Sequence, residues 1–431
     1  KTIALLEREL QTENIDGMAS LFQELGLQGK SFEQWESDNE RLQKLTREDI
    51  IAIAQKYFDP DHCTIVRSKM GFPAKDAVAK PDWEHLDAQN IGAQSEFAKD
   101  IYSRHVESVS PQNIIFGKDV RITPINSHFD LYSTPNPKNK IFSLAISYDY
   151  GTIDDSDLDR AAAYFDLIGA NNMDHEDFTL QLQRLGATFS VNVENTSTTL
   201  NIMGYDYNLP EILKLVRAKF DQPRHDDKQI KLIVDGIKAD AKTSKSDAGT
   251  WFSALARYVR FGQQSEYLRH TPVKEWQKNA TGEKLMQQFQ SIFLHGGHVN
   301  YVGNLDDKQV INALLNYDLI PSNAKDMPNR DYKDQLPADN QVFYIHNKKF
   351  GQSNIQIYLP SVEVDESDKA ICEVFNEYYG AGGMNSLIFQ EIREFRSLGY
   401  STYGVFQSDP LHINGGKLIT YLGTQSDKTL D

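Results

Sequence analysis

Two stretches of this 431-residue chain repeat each other at long range. Repetition at a period of roughly two hundred residues means repeated units rather than one large core. In the later stretch, Glu366 to Phe406, the residues Ser367, Asp368, Phe375, Gly380, Ala381 and Met384 stand at a constant offset from Ser156, Asp157, Tyr164, Gly169, Ala170 and Met173 of the earlier one, Asp155 to Glu194. Leu398 and Gly399 then match Leu185 and Gly186 after a slip of two residues. A second echo links Leu45–Ser68 to Ala280–Asn304. Each reads as a capped amphipathic helix followed by a short strand, with a Thr at the helix start (Thr46, Thr281) and a Glu close behind (Glu48, Glu283), where a hydroxyl accepts a backbone N–H and a carboxylate suits the helix dipole. The two echoes divide the chain. Residues 1–70 are expected to end a preceding unit, 71–105 to link, 106–317 to form a complete αβ unit, 318–339 to link again, and 340–431 to open a last, truncated unit.

The linker assignments rest on Pro, Asp and Ala enrichment without apolar periodicity, in GFPAKDAVAKPDWEHLDAQN and in DLIPSNAKDMPNRDYKDQLPAD. Within the complete unit, apolar alternation marks strands in DVRITPI, FDLYS and IFSLAISYDYG, and a two-stranded hairpin in ATFSVNVENTSTTLNIMGY. Helical patterns cover Ser156 to Gly169, His175 to Gly186, Leu209 to Phe220, Lys228 to Ala241, Thr250 to Phe261 and Glu283 to Phe293. The order restarts with strands in QVFYIH and NIQIYLP. The expected fold class is α+β: tandem homologous αβ units, each a mixed or antiparallel sheet flanked by helices, with truncated units at both ends.

A net charge of −16 argues against a nucleic-acid partner, which needs a concentrated basic surface. It is consistent with plain solubility or with an acidic cavity that attracts basic peptides. The two cysteines, Cys63 and Cys372, fall in different units, so neither a structural disulfide nor a thiolate metal site is expected. No apolar run reaches the roughly 18 residues of a membrane-spanning helix. The chain opens inside the helix-like KTIALLEREL without an initiator Met, which suggests an interior or C-terminal piece of something longer. Localisation stays unknown: a soluble protein, periplasmic or cytoplasmic if bacterial.

Strands, an S-D headed helix, the loop GAGGM and then QEIREFRSLGYS, strongest over Gly380 to Tyr403, resemble the insulinase/pitrilysin family of zinc metallopeptidases. The elements at Gly303–Leu305 and Tyr421–Lys428 fit the same resemblance. It implies two halves of two homologous units each, closing over a chamber that admits extended peptides, with this chain in the C-terminal, non-zinc half. The family's zinc sits on an inverted His-x-x-Glu-His helix of the first unit, where two imidazoles hold the metal and the Glu polarises water. The matching window here is Ala163, Tyr164, Phe165, Asp166, Leu167, and in the last unit Val374, Phe375, Asn376, Glu377, Tyr378. Neither window carries a His at a ligand position, so the motif positions Ala163, Asp166 and Leu167 are degenerate. No catalytic residue and no metal ligand is expected in this chain, and zinc would belong to the missing N-terminal half of the intact protein.

The resemblance carries one functional pair onto the chain, an Arg and a Tyr seven residues apart at Arg393 and Tyr400. On an expected helix from Met384 to Arg396 the apolar residues gather on one side and Arg393 projects from the other. Two donors of this kind can fix a peptide carbonyl and stabilise an oxyanion. The alternative is a surface Arg paired with Glu391 or Glu394 and a Tyr packed in a sheet. Other signals carry less. His295 and His298 in LHGGH flank glycines that mark a turn, His175 opens a helix whose acidic neighbours complement its dipole, and GAGGM lacks the Lys of a phosphate loop. The function expected is that of the substrate-binding half of a metalloendopeptidase. Its rival is a non-catalytic scaffold or processing-peptidase-like partner subunit.

Overall fold

A computed structural model describes residues 1–68, 94–105, 112–325, 338–363, 365–408 and 415–430, with residues 107, 110, 328, 330, 334 and 335. The linker expected at 71–105 lies outside the described residues as far as position 93. Two compact units are present, one comprising Lys1–Leu21 with Phe116–Asp431 and the other Phe22–Ile115.

The chain begins with helices α1 (Thr2–Gln11), α2 (Ile15–Gln28), α3 (Phe32–Lys44) and α4 (Arg47–Tyr57), followed by α5 (Glu96–Ser103). Two of these starts are fixed by reciprocal caps, Ser31 with Gln34 and Thr46 with Asp49. At α4 Glu48 stands in the first turn as expected, and Asp49 beside it closes the cap. The strand expected at the end of the Leu45–Ser68 echo does not form, and residues 63–68 are exposed without regular structure. Helix α1 packs in the larger unit, where Leu6 is buried with Ile141 and Tyr205, and Glu9 accepts a hydrogen bond from the Tyr205 hydroxyl at 3.0 Å.

The larger unit carries β1 (Arg121–Asn126), β2 (Phe129–Pro135), β3 (Ile141–Tyr148), α6 (Leu158–Leu167), β4 (Gly169–Ala170), α7 (His175–Arg184), β5 (Thr188–Val193) and β6 (Thr198–Tyr205). Then come α8 (Leu209–Asp221), β7 (Pro223–Arg224), α9 (Lys228–Ser244), α10 (Ala248–Phe261), α11 (Glu266–Arg269), α12 (Val273–Asn279), α13 (Gly282–Gln290), β8 (Gly297–Gly303) and α14 (Asp307–Asn316). Six strands form one sheet in the order β1-β2-β8-β3-β6-β5. Strand β8 runs parallel to β2 and antiparallel to β3, so the sheet is mixed, and the expected hairpin appears as β5 and β6.

The core lies between the sheet and helices α6, α8 and α13. Phe165 sits at its centre, fully buried, with ring centroids 4.5 Å from Phe220, 4.8 Å from Phe289 and 6.0 Å from Phe189. Burying each such ring contributes about 1.5–3 kcal/mol. Gly169 is required where α6 turns into β4, because a Cβ there would meet the Met173 carbonyl oxygen at 2.1 Å.

At the rim of the sheet, Asp307 ties the first turn of α14 to β1 and β2. It accepts hydrogen bonds from Arg121 at 2.8 Å, Thr123 at 2.7 Å and Ser133 at 2.6 Å. The Arg121 guanidinium, aided by the two hydroxyls, pulls its carboxyl from 3.8 to about 2. A depressed folded-state value means stability that is present above the unfolded value and lost as pH falls through the folded one. The expected result is a denaturation midpoint that drops between about pH 4 and pH 2. Urea titrations of the wild type and Asp307→Asn across that window check it, since the difference between the two should vanish at the acid end.

The last segment contains β9 (Gln352–Glu363), α15 (Lys369–Asn376), β10 (Gly399–Ser408) and β11 (Gly415–Gln425). Its strands form an antiparallel sheet in the order β10-β11-β9. These stand to one another as β5, β6 and β3 do, so the duplicated sequence builds a duplicated topology. QVFYIH is not a strand, and Val342 within it is 95% exposed. The expected helix from Met384 to Arg396 is replaced by a 3-10 turn at Gly383–Asn385 and a π turn at Phe389–Glu394. The polar stretch read as the second linker is anchored at two points. Arg330 donates to Asp154 at 2.7 Å and to the Asp149 and Thr196 carbonyls, while Asp334 pairs with Arg260 at 2.9 Å.

Candidate substrate-contact site

Arg393 and Tyr400 are brought together by the turn that connects the π turn to β10. Ser397 takes a left-handed conformation (φ 51°), and the Leu398 N–H reaches back to the Ile392 carbonyl at 3.0 Å. The π turn widens the helix by one residue and re-aims its side chains. The Arg393 guanidinium carbon consequently lies 4.1 Å from the Tyr400 ring centroid and 4.6 Å from that of Phe389. Its Nη1 donates to the Tyr400 carbonyl at 3.4 Å, and its Nε is 3.6 Å from a Glu394 carboxylate oxygen. Arg396 takes Glu391 at 2.6 Å. The pair is therefore stacked rather than held as two separate donors. Cation–π contact at an exposed site is worth about 0.5–1 kcal/mol, enough to bias the guanidinium while leaving it mobile.

Tyr400 is 78% exposed, at the start of β10 where the register with β11 is irregular between Gly399 and Thr402. Phe389, the second platform for the guanidinium, was missed in the sequence. Its position four residues before Arg393 is the signal that could have found it. The GAGGM segment packs closely at its first residue: a Cβ on Gly380 would meet the Gly404 backbone nitrogen at 2.2 Å, so glycine there lets the turn lie against β10.

On α6 the degenerate window offers no metal chelate. Ala163 and Leu167 have no ligand atom, and Asp166 is exposed between them. Tyr164 is turned inward, its hydroxyl accepting the Asp226 N–H at 3.1 Å. Lys219, on α8, fills the space beside this window. It is 2% exposed, its ammonium stands 4.6 Å from the Phe165 ring and 4.8 Å from the Phe178 ring, and it donates to the Asp166 carbonyl at 3.4 Å. Burial brings its pKa down to about 8. A cation in that place is the opposite of what a second cation needs, so these residues do not fit zinc.

The histidines noted in the sequence have separate surroundings. His295 is buried against Tyr150, ring centroids 4.2 Å apart, and its pKa is lowered, first by burial and then by Lys325. His298 lies on β8, edge-on to Tyr132. His175 begins α7, capped by Asp174, which accepts from the Asp177 N–H at 2.9 Å. Among the described residues no group of three or more His, Cys, Asp or Glu side chains is placed to hold a metal ion. Among them too, no helix is long and apolar enough to cross a membrane.

Residues 298–431, from β8 onward, match the family model described as the peptidase M16 inactive domain. Among solved structures the chain is similar to a peptidase M16 inactive domain from Pseudomonas fluorescens, at 16% identity and a TM-score of 0.57, over 71% of this chain and 74% of that one. It is similar to the periplasmic protease PqqL from Escherichia coli at 12% identity and a TM-score of 0.61, over 89% of this chain and 40% of that one. The ferredoxin protease FusC, in complex with Arabidopsis ferredoxin, aligns at 12% identity and a TM-score of 0.57, over 99% of this chain and 49% of that one. The chain thus spans less than half of either of those two proteases. At such identities the likeness is one of fold. No curated protein matches the sequence.

Proposed function

Because residues 298–431 belong to the M16 peptidase inactive-domain family, we infer that this chain is the substrate-binding, catalytically degenerate C-terminal half of a zinc metalloendopeptidase that hydrolyses peptides in a closed chamber. The observation that carries the reading is the combination, on one chain of this fold, of motif positions without ligand atoms at Ala163 and Leu167 and a half-buried Arg393 stacked on an exposed Tyr400. Residues 106–317 act as an inactive peptidase-like unit, 340–431 as the opening part of another, and 1–70 as the end of one before them. The same order of three strands in both sheets supports that division.

Zinc, held by an N-terminal half, would supply the polarised water. The residues of this chain bind and orient. The Arg393 guanidinium, loosely seated on two rings, can swing to a peptide carbonyl, and the Tyr400 hydroxyl can donate beside it. Both donors matter most where negative charge grows on that oxygen.

The test uses the intact two-half protein with Arg393→Ala and Tyr400→Phe. Each variant is expected to lose at least about tenfold in kcat with little change in KM, the signature of an interaction made in the transition state. Loss below about threefold in both counts against the role. The ion pair of Arg393 with Glu394 favours the second reading, a non-catalytic scaffold or processing-peptidase-like partner subunit, for which both variants leave turnover unchanged. By itself this chain is expected to cleave no peptide, with or without added zinc.

A further inference from the structure

Residues 318–325, which follow α14, lie as a strap on the six-stranded unit. Leu319 and Ile320 are buried, the Leu319 carbonyl accepts from the Tyr148 hydroxyl at 2.6 Å, and the Pro321 carbonyl accepts from the Asn126 side-chain amide at 3.1 Å. The strap ends on the turn that leads into β8. There the Lys325 N–H donates to the Leu294 carbonyl at 2.8 Å and the Gly296 N–H donates to the Lys325 carbonyl at 3.2 Å, so Lys325 and His295 pair as a short parallel bridge. Both bonds run through the chain neighbours of one histidine.

His295 is 8% exposed with its ring stacked on Tyr150, and its Nδ1 is buried without a hydrogen-bond partner among the described residues. A neutral ring can leave that nitrogen bare of a proton. An imidazolium carries a proton on both nitrogens, so its Nδ1 would be a buried donor with nothing to accept it. The charges around the ring oppose one as well. Lys325 and Arg330 face it as cations, and the carboxylate that acts on it, Asp154, already takes Arg330 at 2.7 Å. Asp155 acts on Tyr150 and accepts from Gln288 at 2.8 Å, Asp149 is attracted to His298 and Arg330, and His128 of the β1–β2 turn packs against Gly296.

We propose that this strap is an acid-released clasp: when His295 takes up a proton its ring leaves Tyr150 for solvent, the Lys325 bridge opens, and residues 318–325 loosen from the six-stranded unit back toward Pro321. Burial first and Lys325 second hold the imidazole below its usual value of 6.5. The clasp is therefore fully closed above that value, and its hold is lost as pH falls through the lower folded one. His270 behaves in the opposite sense. Its contact with Asp159 at 3.0 Å raises its value, so acid strengthens that contact. The inference rests on contacts between the six-stranded unit and its strap and is independent of any peptidase activity.

Amide hydrogen exchange of the full chain between about pH 7.5 and about pH 5, corrected for the intrinsic pH dependence of exchange, tests the clasp. Protection of the Lys325 and Gly296 amides is expected to fall at least about fivefold across that window, while the amides that pair β3 with β6 keep theirs. His295→Phe leaves a ring on Tyr150 that takes no proton, and its protection at the two amides should be equal at both ends of the window. Should that variant fold poorly, His295→Gln gives the same comparison. A wild type whose two amides are equally protected at both ends overturns the proposal. So does a variant that loses protection as wild type does, and so does a loss shared by β3 and β6, which would mean a general loosening in acid.

Discussion

Replacing Phe165 by Ala should destabilise the larger unit by about 3–5 kcal/mol, the cost of deleting a fully buried aromatic ring and leaving a cavity that its neighbours fill only in part. Three further rings pack within 6.0 Å of Phe165, centroid to centroid, and they are held by three different elements, so no single side chain can move to close the gap. The same change removes one of the two aromatic faces beside the Lys219 ammonium, which is already held down by burial. The expected reading is a lower urea midpoint at unchanged m, with the loss shared by every probe of the six-stranded unit. A cost below about 1 kcal/mol would place the ring outside a close-packed core and contradict the architecture described above.

The second large effect is expected at Arg330→Ala. Arg330 and Asp154 are each less than a tenth exposed at the side chain, and their bidentate contact is supplemented by two backbone carbonyls that accept from the same guanidinium. Truncating Arg330 leaves the Asp154 carboxylate buried without its cation, a loss of about 3–5 kcal/mol in comparable pairs. Removing both charges, in Arg330→Ala with Asp154→Asn, should cost clearly less than the sum of the single changes, because the uncompensated charge is gone. Guanidinium or thermal unfolding of the four proteins in a double-mutant cycle reads the coupling directly. Strict additivity would mean that the linker segment is not fastened through this contact.

Much of the local structure was legible because its causes are local. The Thr281 and Asp174 caps mark where α13 and α7 begin, and period-two alternation marks the β5–β6 hairpin, whose partners are neighbours in sequence. The duplicated order of strands was legible from the Ser156 and Ser367 offset alone. Strand β8 is a different matter. Its composition shows a strand, but its insertion between β2 and β3, parallel to one and antiparallel to the other, depends on partners more than 140 residues away in sequence. QVFYIH has strand composition too and forms none, since a strand needs a hydrogen-bonding edge. The polar stretch before it looks like a spacer. Arg330 and Asp334 within it reach buried partners that only folding brings near.

The candidate site divides in the same way. Which residue types stand at Ala163, Leu167, Arg393 and Tyr400 is settled by covalent chemistry: a methyl or an isobutyl group ligates no metal, and a guanidinium is a donor wherever the chain puts it. The spacing in sequence gave Arg393 a regular helix and a free face. The π turn and the left-handed Ser397 instead fold it onto Tyr400 and Phe389. A duplicated α+β design and the lack of ligand atoms at Ala163 and Leu167 were thus written in the order of the residues. Tertiary structure alone decided which strands β8 inserts between and where the Arg393 charge rests, because each is the outcome of a competition among partners distant in sequence.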